Sequence, residues 1–473
     1  MKNKFYVTTS IAYTNAPPHI GFALELIQAD VLARHRRFLG DDVFFLTGTD
    51  EHGQKIVRAA KEAGQTPKQF TDEISQKYQT LTKALNLSND DFIRTTDPKK
   101  HWSNVQKVWL KLKENGDIYK KKYKGLYCVG CEAFLKEKDL IDGQCPIHHQ
   151  QPEIIEEENY FFRLSKYADA VKDQIESGEI KIVPGGRKNE ILSFIGRGVE
   201  DVSCSRAKEN LQWGIPVPDD DTQIIYIWFE ALINYLYPKK YWPANVHCIG
   251  KDIFRFHALL WPAMLLSLGL DSPKTIFVHG YITSGGQKMS KSLGNVVDPF
   301  ELIRKYGADA VRYFLLREIP STEDGDYTEE KFKERYNGDL ASGLGNLVAR
   351  VITLAKNSKT QITISKQIPI SKFQKKYQKA LEEFKFNEAL MAVWELIGLC
   401  DQYVEREKPW SFDPAQDKEK IEEVIGGLLF AIKEIADLLE SFLPETSEKI
   451  LKQLTLRRGS GQEKSEPLFP RLK

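Results

Sequence analysis

No run of about 18 apolar residues occurs anywhere in the chain, so the sequence offers no membrane-crossing helix. The N-terminus, MKNKFYVTTS, has no long apolar core and is not expected to be a signal peptide. Net charge is also nearly absent, at +1. A global field that gathers polyanions is therefore excluded, and any nucleic-acid surface must be a local patch. Cysteine is scarce, with six in 473 residues. Three fall between 128 and 145, while Cys204, Cys248 and Cys400 stand apart. That distribution excludes a disulfide framework and fits a metal site in a reducing compartment, hence a cytoplasmic location. There is no internal repeat, and residues 457–466 (RRGSGQEKSE) read as a mobile tail. What remains is ordinary: 41% hydrophobic and 28% charged residues, enough for large cores, in a length that suits about three domains.

Strand and helix patterns alternate through residues 1–117. Strands are predicted at 5–9, 43–46 and 92–94, with helices at 20–38, 56–63 and 70–87. From 118 to 222 turns, cysteines and short strand runs interrupt the pattern, as an insertion would. Alternation resumes at 223–280, with strands at 224–228, 246–249 and 275–279 and a helix at 254–268. The fold class is α/β, one parallel doubly wound sheet carrying an insertion. Residues 281–335 form a connecting region. Residues 336–473 read as all helix, and Ile421, Val424, Ile425, Leu428, Ile432, Ile435, Leu439 and Phe442 make an apolar stripe.

Three motifs carry chemistry. Pro18-His19-Ile20-Gly21-Phe22 follows a strand and opens a helix, where backbone N–H groups attract phosphate. His19 can donate to a phosphate oxygen, and Gly21 lets a flat nucleoside approach the backbone. Far downstream, Lys288-Met289-Ser290-Lys291-Ser292 follows Gly285-Gly286, a loop whose ammonium groups can neutralise a leaving pyrophosphate. Together they suggest a site that grips a nucleoside triphosphate. Cys128-x2-Cys131 and Cys145-x2-His148, with residues 132–144 between, give tetrahedral zinc spacing, and His149 is an alternative fourth ligand. The set leaves no open coordination position, so Zn2+ there would be structural.

HIGF and KMSKS, in that order, resemble the class I aminoacyl-tRNA synthetases. The segments YVTTSIAYTNAPPHIG, FLTGTDEHG, YCVGC, WGIPVP, GKDIFRFHALLWPAMLLS and HGYITSGGQKMSKSLGN extend the resemblance, over essentially the whole chain, to the bacterial methionyl-tRNA synthetases with one zinc knuckle. The resemblance implies a Rossmann-like catalytic sheet, a zinc-bearing connective insertion and an all-α anticodon-binding bundle. It implies a ligase that uses ATP with Mg2+ to make methionyl-adenylate and then charges tRNA(Met). The insertion is too short for the editing domain of the branched-chain enzymes, and TTSIAYTNAPP lacks the cysteine that cysteine enzymes place there. Among the amino acids of this class, the resemblance therefore favours methionine over cysteine.

Carried over by position, Ile11 and Tyr13 match the pocket floor, and Asp50 the carboxylate that holds the substrate ammonium. Trp228, Ala231, Tyr235, Ile253, His257 and Trp261 match the aromatic wall, a suitable surface for a thioether. Gly250 and Asp252 match part of the nucleotide site, with His19, Gly21, Lys288 and Lys291 as the catalytic and ATP-binding groups. Arg206 matches a segment near the substrate. Asn346, Arg350 and Trp410 match the anticodon reader, where unpaired bases stack on aromatic rings. Lys120–Lys122 and Lys124 read as a solvated basic face. The chain departs from the family at Phe22, which replaces a second histidine and cannot donate to phosphate. An impaired tRNA-binding paralogue and a synthetase for another small amino acid are the alternatives. The stop near the end of the bundle, without an appended OB-fold module, leads to the expectation of a monomer.

Overall fold

The computed structural model describes all residues except 1, 136, 138, 139, 147, 148, 290–292, 359, 364–366, 414, 415, 457–466 and 473. Lys291, His148 and the tail at 457–466 thus lie outside the described residues. The chain forms two compact units that interleave in sequence: Met1–Pro18, Asp41–Thr82 and Asn89–Val278 make the first, and His19–Gly40, Lys83–Ser88 and His279–Lys473 the second.

The first unit is built on a six-stranded sheet. Its strands are β1 (Lys4–Tyr13), β2 (Asp42–Asp50), β3 (Asp91–Arg94), β4 (Lys181–Val183), β5 (Val246–Gly250) and β6 (Thr275–His279). Their spatial order is β3-β2-β1-β5-β6-β4. β1 pairs parallel with β2 and β5, β2 with β3, and β6 with β4. The strands are apolar on both faces, as a sheet covered on both sides requires. The main core collects Trp109, Phe162, Phe229, Trp261 and Ile276, all buried. A register shift in β1 between Thr8 and Ile11 precedes the pairing of Tyr13 with Asp50.

One prediction fails here. The segment 224–228 is not a strand of this sheet. Asp220–Ile225 instead pairs antiparallel with Ser205–Ala207 and Pro216–Val217, and Trp228 lies in the helix Ile227–Leu232. The apolar run IIYIWF fits a strand or a buried helix equally, and tertiary packing divides it between them. Residues 118–222 reach beyond a sheet of their own. They contribute the long hairpin of Ile118–Cys128 with Glu153–Phe162, and they also return β4 to the edge of the main sheet.

In the second unit, helix α1 (Ile20–Phe38) accompanies the C-terminal helices. The stripe predicted over 421–443 falls on the helix Lys418–Leu439, and its apolar members are buried, Phe442 included. A small sheet of Ile282–Ser284, Gln287–Lys288 and Gly325–Tyr327 carries the start of the lysine loop. Among the described residues no helix is long and apolar enough to cross a membrane.

Candidate active site

Because β1 and β2 run parallel and end in register, Tyr13 and Asp50 stand side by side at their carboxyl ends, where α/β sheets bind ligands. Asp50 is 4% exposed. Burial, with Glu230, Glu51 and Glu132 nearby, pushes its carboxyl well above the usual range. The neighbours are compensated. Glu51 takes a bidentate bond from Arg94 at 2.7 and 2.8 Å. Glu230 lies between His52 at 2.8 Å and His101 at 2.5 Å; burial raises its carboxyl, but the two imidazoles hold it below its usual value. Among the described residues no cation pairs with Asp50. A buried carboxylate in that position is matched to an ammonium supplied from outside.

The aromatic wall forms from sequence-distant residues. His257 donates from Nδ1 to the carbonyl of Ile253 at 3.0 Å, so Nε2 accepts from the Tyr235 hydroxyl at 2.8 Å. Burial lowers the His257 imidazole to about 4, so it is neutral at physiological pH. Tyr235 also packs against Trp261 at a centroid distance of 6.0 Å, and its carbonyl accepts from Tyr6. Ile11 packs against the small core of Tyr6, Leu46, Ile93 and Ala244, and Ala231 is buried in the helix Ile227–Leu232. Trp228 stacks on Phe256 at 4.1 Å and 7°. Phe256 was missed from the sequence, although it adjoins His257 in FRFHALLW. Its role appears only once the ring of Trp228 is seen against it.

Gly53 has φ +108°, and a Cβ there would meet the Tyr13 hydroxyl at 2.7 Å and the Glu132 carboxylate at 3.0 Å. Gly53→Ala therefore has both strain and collision against it. We expect a loss of stability of about 2 kcal/mol, seen as a lowered thermal midpoint.

In the second unit, His19 caps α1, and its Nδ1 accepts from Gly21 N at 3.1 Å, which leaves the proton on Nε2. A Cβ at Gly21 would strike this ring at 2.9 Å, so glycine is what lets the imidazole fold over the helix end. The lysine loop meets the same end: Ile20 N donates to Val297 O at 3.2 Å, and the Met289 methyl comes within 4.0 Å of the Gly21 Cβ position. The two motifs are thus joined. Lys288 is exposed, with its ammonium 5.6 Å from the Tyr281 ring. Gly285 and Gly286 have positive φ, and Asp326 fixes this turn by accepting from Gly286 N at 2.7 Å. Phe22 is half-buried. In the first unit, Gly250 ends β5 and Asp252 is exposed in the turn that follows.

Cys128, Cys131 and Cys145 converge, with all sulfurs within 4.8 Å and Cys131 to Cys145 at 3.5 Å. Zn–S bonds of about 2.3 Å set tetrahedral edges of about 3.8 Å, which this triad fits. Arg206, matched by position to a segment near the substrate, has its guanidinium engaged inside the protein. It is buried against Glu157, at 3.1 and 3.2 Å, and over the Tyr127 ring. Lys120 and Lys124 pair across the hairpin and its neighbour with Asp220, Glu158 and Glu156. Asn346 and Arg350 share the helix Asn346–Ser358, and the Arg350 guanidinium lies 4.8 Å over the half-exposed Trp410 ring while bonding Glu405 at 2.6 Å.

A parallel sheet of this order, with a histidine-capped helix meeting a lysine loop, defines the class I aminoacyl-tRNA synthetases. The family model described as "tRNA synthetases class I (M)" matches residues 5–151 and 135–352, and "Anticodon-binding domain of tRNA ligase" matches 368–468. The methionine–tRNA ligase of Thermotoga maritima is 42% identical, over 98% of this chain and 77% of its own length. That of Bacillus subtilis is 40% identical, over 99% and 78%. The structure of Mycobacterium tuberculosis methionyl-tRNA synthetase in complex with methionyl-adenylate superposes with a TM-score of 0.91 at 35% identity, covering 100% of both chains. The chain belongs to the methionyl-tRNA synthetase family.

Proposed function

We infer that this chain activates L-methionine with ATP and transfers the methionyl group to tRNA(Met). The observation that carries the reading is Asp50, buried, without a cationic partner among the described residues and in register with Tyr13 at the sheet's carboxyl edge. Asp50 holds the methionine ammonium. Ile11, Tyr13, Trp228, Ala231, Tyr235, Ile253, His257 and Trp261 enclose the thioether, with Phe256 added to them. The methionine carboxylate is left to attack the α-phosphorus of ATP, the bond to the bridging oxygen breaks, and pyrophosphate leaves with the electron pair. His19 Nε2 donates to the phosphates, the backbone at Gly21 accepts the nucleoside, and Lys288 and Lys291 neutralise the departing charge. Gly250 and Asp252 complete the nucleotide contacts, and Mg2+ accompanies the triphosphate as counter-ion. A hydroxyl of the terminal adenosine of tRNA then attacks the acyl carbon and AMP leaves. Zn2+ held by Cys128, Cys131, Cys145 and His148 braces the knuckle. Asn346, Arg350 and Trp410 read the anticodon within residues 336–473, Trp410 by stacking. The site of action is the cytoplasm.

Methionine-dependent exchange of labelled pyrophosphate into ATP tests the reading. The wild type should exchange with methionine and not with cysteine. Phe22→His should change the rate within about fivefold, the size of one added hydrogen bond. No exchange at saturating methionine and ATP would sink the assignment, and a far larger gain from histidine would make Phe22 a handicap.

A further inference from the structure

Glu132 follows the second knuckle cysteine, yet its bonds go to the pocket. Its Oε1 accepts from the Tyr13 hydroxyl at 2.9 Å and from Lys55 N at 2.6 Å. Its Oε2 accepts from the Tyr127 hydroxyl, and its backbone carbonyl from the Tyr226 hydroxyl. It is 2% exposed and sits at φ +48°, a backbone state that non-glycine residues adopt at a cost. The preceding carbonyl, that of Cys131, accepts from Trp228 Nε1 at 3.3 Å. Two consecutive residues of one turn therefore hold two aromatic members of the pocket, contributed by segments far apart in the chain. Gly53, which leaves room at the Tyr13–Glu132 contact, belongs to the same arrangement.

We propose that Glu132 is a positioning residue for methionine: through Tyr13 it fixes the pocket floor, and with the Cys131 carbonyl it ties the floor and the Trp228 wall to the cysteine turn. The proposal rests on the methionine-activating reading above. The carboxylate does not touch the substrate. Its effect on methionine travels through the direction of the Tyr13 hydroxyl, while the bond from Lys55 N at the start of the helix Gln54–Glu62 holds the carboxylate itself in place.

The test uses the full chain, with the Michaelis constants for methionine and ATP and the zinc content measured together. Glu132→Ala should raise the constant for methionine about tenfold, with that for ATP and the zinc stoichiometry unchanged. Glu132→Gln should stay within about threefold of wild type, because the amide oxygen still accepts from Tyr13 and Lys55. In a Tyr13→Phe background, Glu132→Ala should add less than about twofold, since the partner through which it acts is gone. Effects that multiply, a parallel rise in the constant for ATP, or loss of zinc would overturn the role. A Glu132→Ala variant equal to an active wild type overturns the role of Glu132 alone. A wild type with no methionine-dependent exchange overturns the activity and this proposal with it.

Discussion

Asp50→Asn is expected to lower kcat/KM for methionine by about 100- to 1,000-fold in pyrophosphate exchange, as the loss of one member of a buried charge pair commonly does. The asparagine has nearly the same volume and keeps an oxygen for Thr95, whose hydroxyl lies 3.5 Å from the carboxylate. The fold should therefore survive, and the constant for ATP should stay within about threefold. The pH dependence gives a second check. The free Asp50 carboxyl is raised by burial and by Glu230, Glu51 and Glu132, so it binds a proton more readily than an ordinary aspartate. The ammonium needs the ionised form. Methionine affinity in the wild type should thus weaken as pH falls through that raised value, and Asp50→Asn should remove this limb. A variant that keeps more than a tenth of wild-type kcat/KM would show that the ammonium is anchored elsewhere.

Arg312→Met should cost the second unit about 3–5 kcal/mol, because it breaks a buried ion pair by removing one partner and leaves three backbone carbonyls without their donor. Arg312 is fully buried. Its guanidinium meets Asp30 of α1 at 2.8 Å and donates to the carbonyls of Phe442 at 2.7 Å, Ser441 at 3.0 Å and Leu85 at 3.2 Å. One side chain thus joins the histidine-capped helix to the end of the C-terminal helices. Asp30 retains Arg34 at 2.9 Å and the Ser88 hydroxyl and amide at 2.7 Å, but the three carbonyls lose their donor. Burial raises the Asp30 carboxyl, while Arg312 and Arg34 more than offset this and leave it below its usual value. The sign follows: the pair's contribution is full above the ordinary carboxylate range and fades as pH falls through the depressed value. Urea unfolding followed by helical circular dichroism should show the deficit at neutral pH and a smaller one in acid. A loss under about 1 kcal/mol would mean that the pair does not hold these segments together.

Much of this was legible in the chain because it is local. His19-Ile20-Gly21 was readable because a strand, a break and a helix follow in order, and the cysteine spacing because two short turns carry it. The assignment of Tyr13 and Asp50 to the substrate came from the resemblance, not from pattern, and their pairing across two strands is seen only in the fold. What escaped depends on tertiary contact. Phe256 is marked only by the Trp228 ring stacked on it, and no local signal in the sequence announces the bonds of Glu132 to Tyr13, Lys55, Tyr127 and Tyr226. The contacts of Arg206, matched only to a segment near the substrate, with Glu157 and Tyr127 could not be read from the chain. The strand expected at 224–228 failed because an apolar run states burial without stating geometry.

The returning strand β4 has a consequence for solubility. A parallel sheet that ended at β6 would present a row of unpaired amides and carbonyls, a template on which another chain could add a strand. Thr275, Ile276 and Phe277 pair instead with Lys181, Ile182 and Val183. The inserted segment, which gives the impression of an appendage along the sequence, is thereby also a guard against self-association, and shortening it for a more compact enzyme would uncover the apolar margin it now closes.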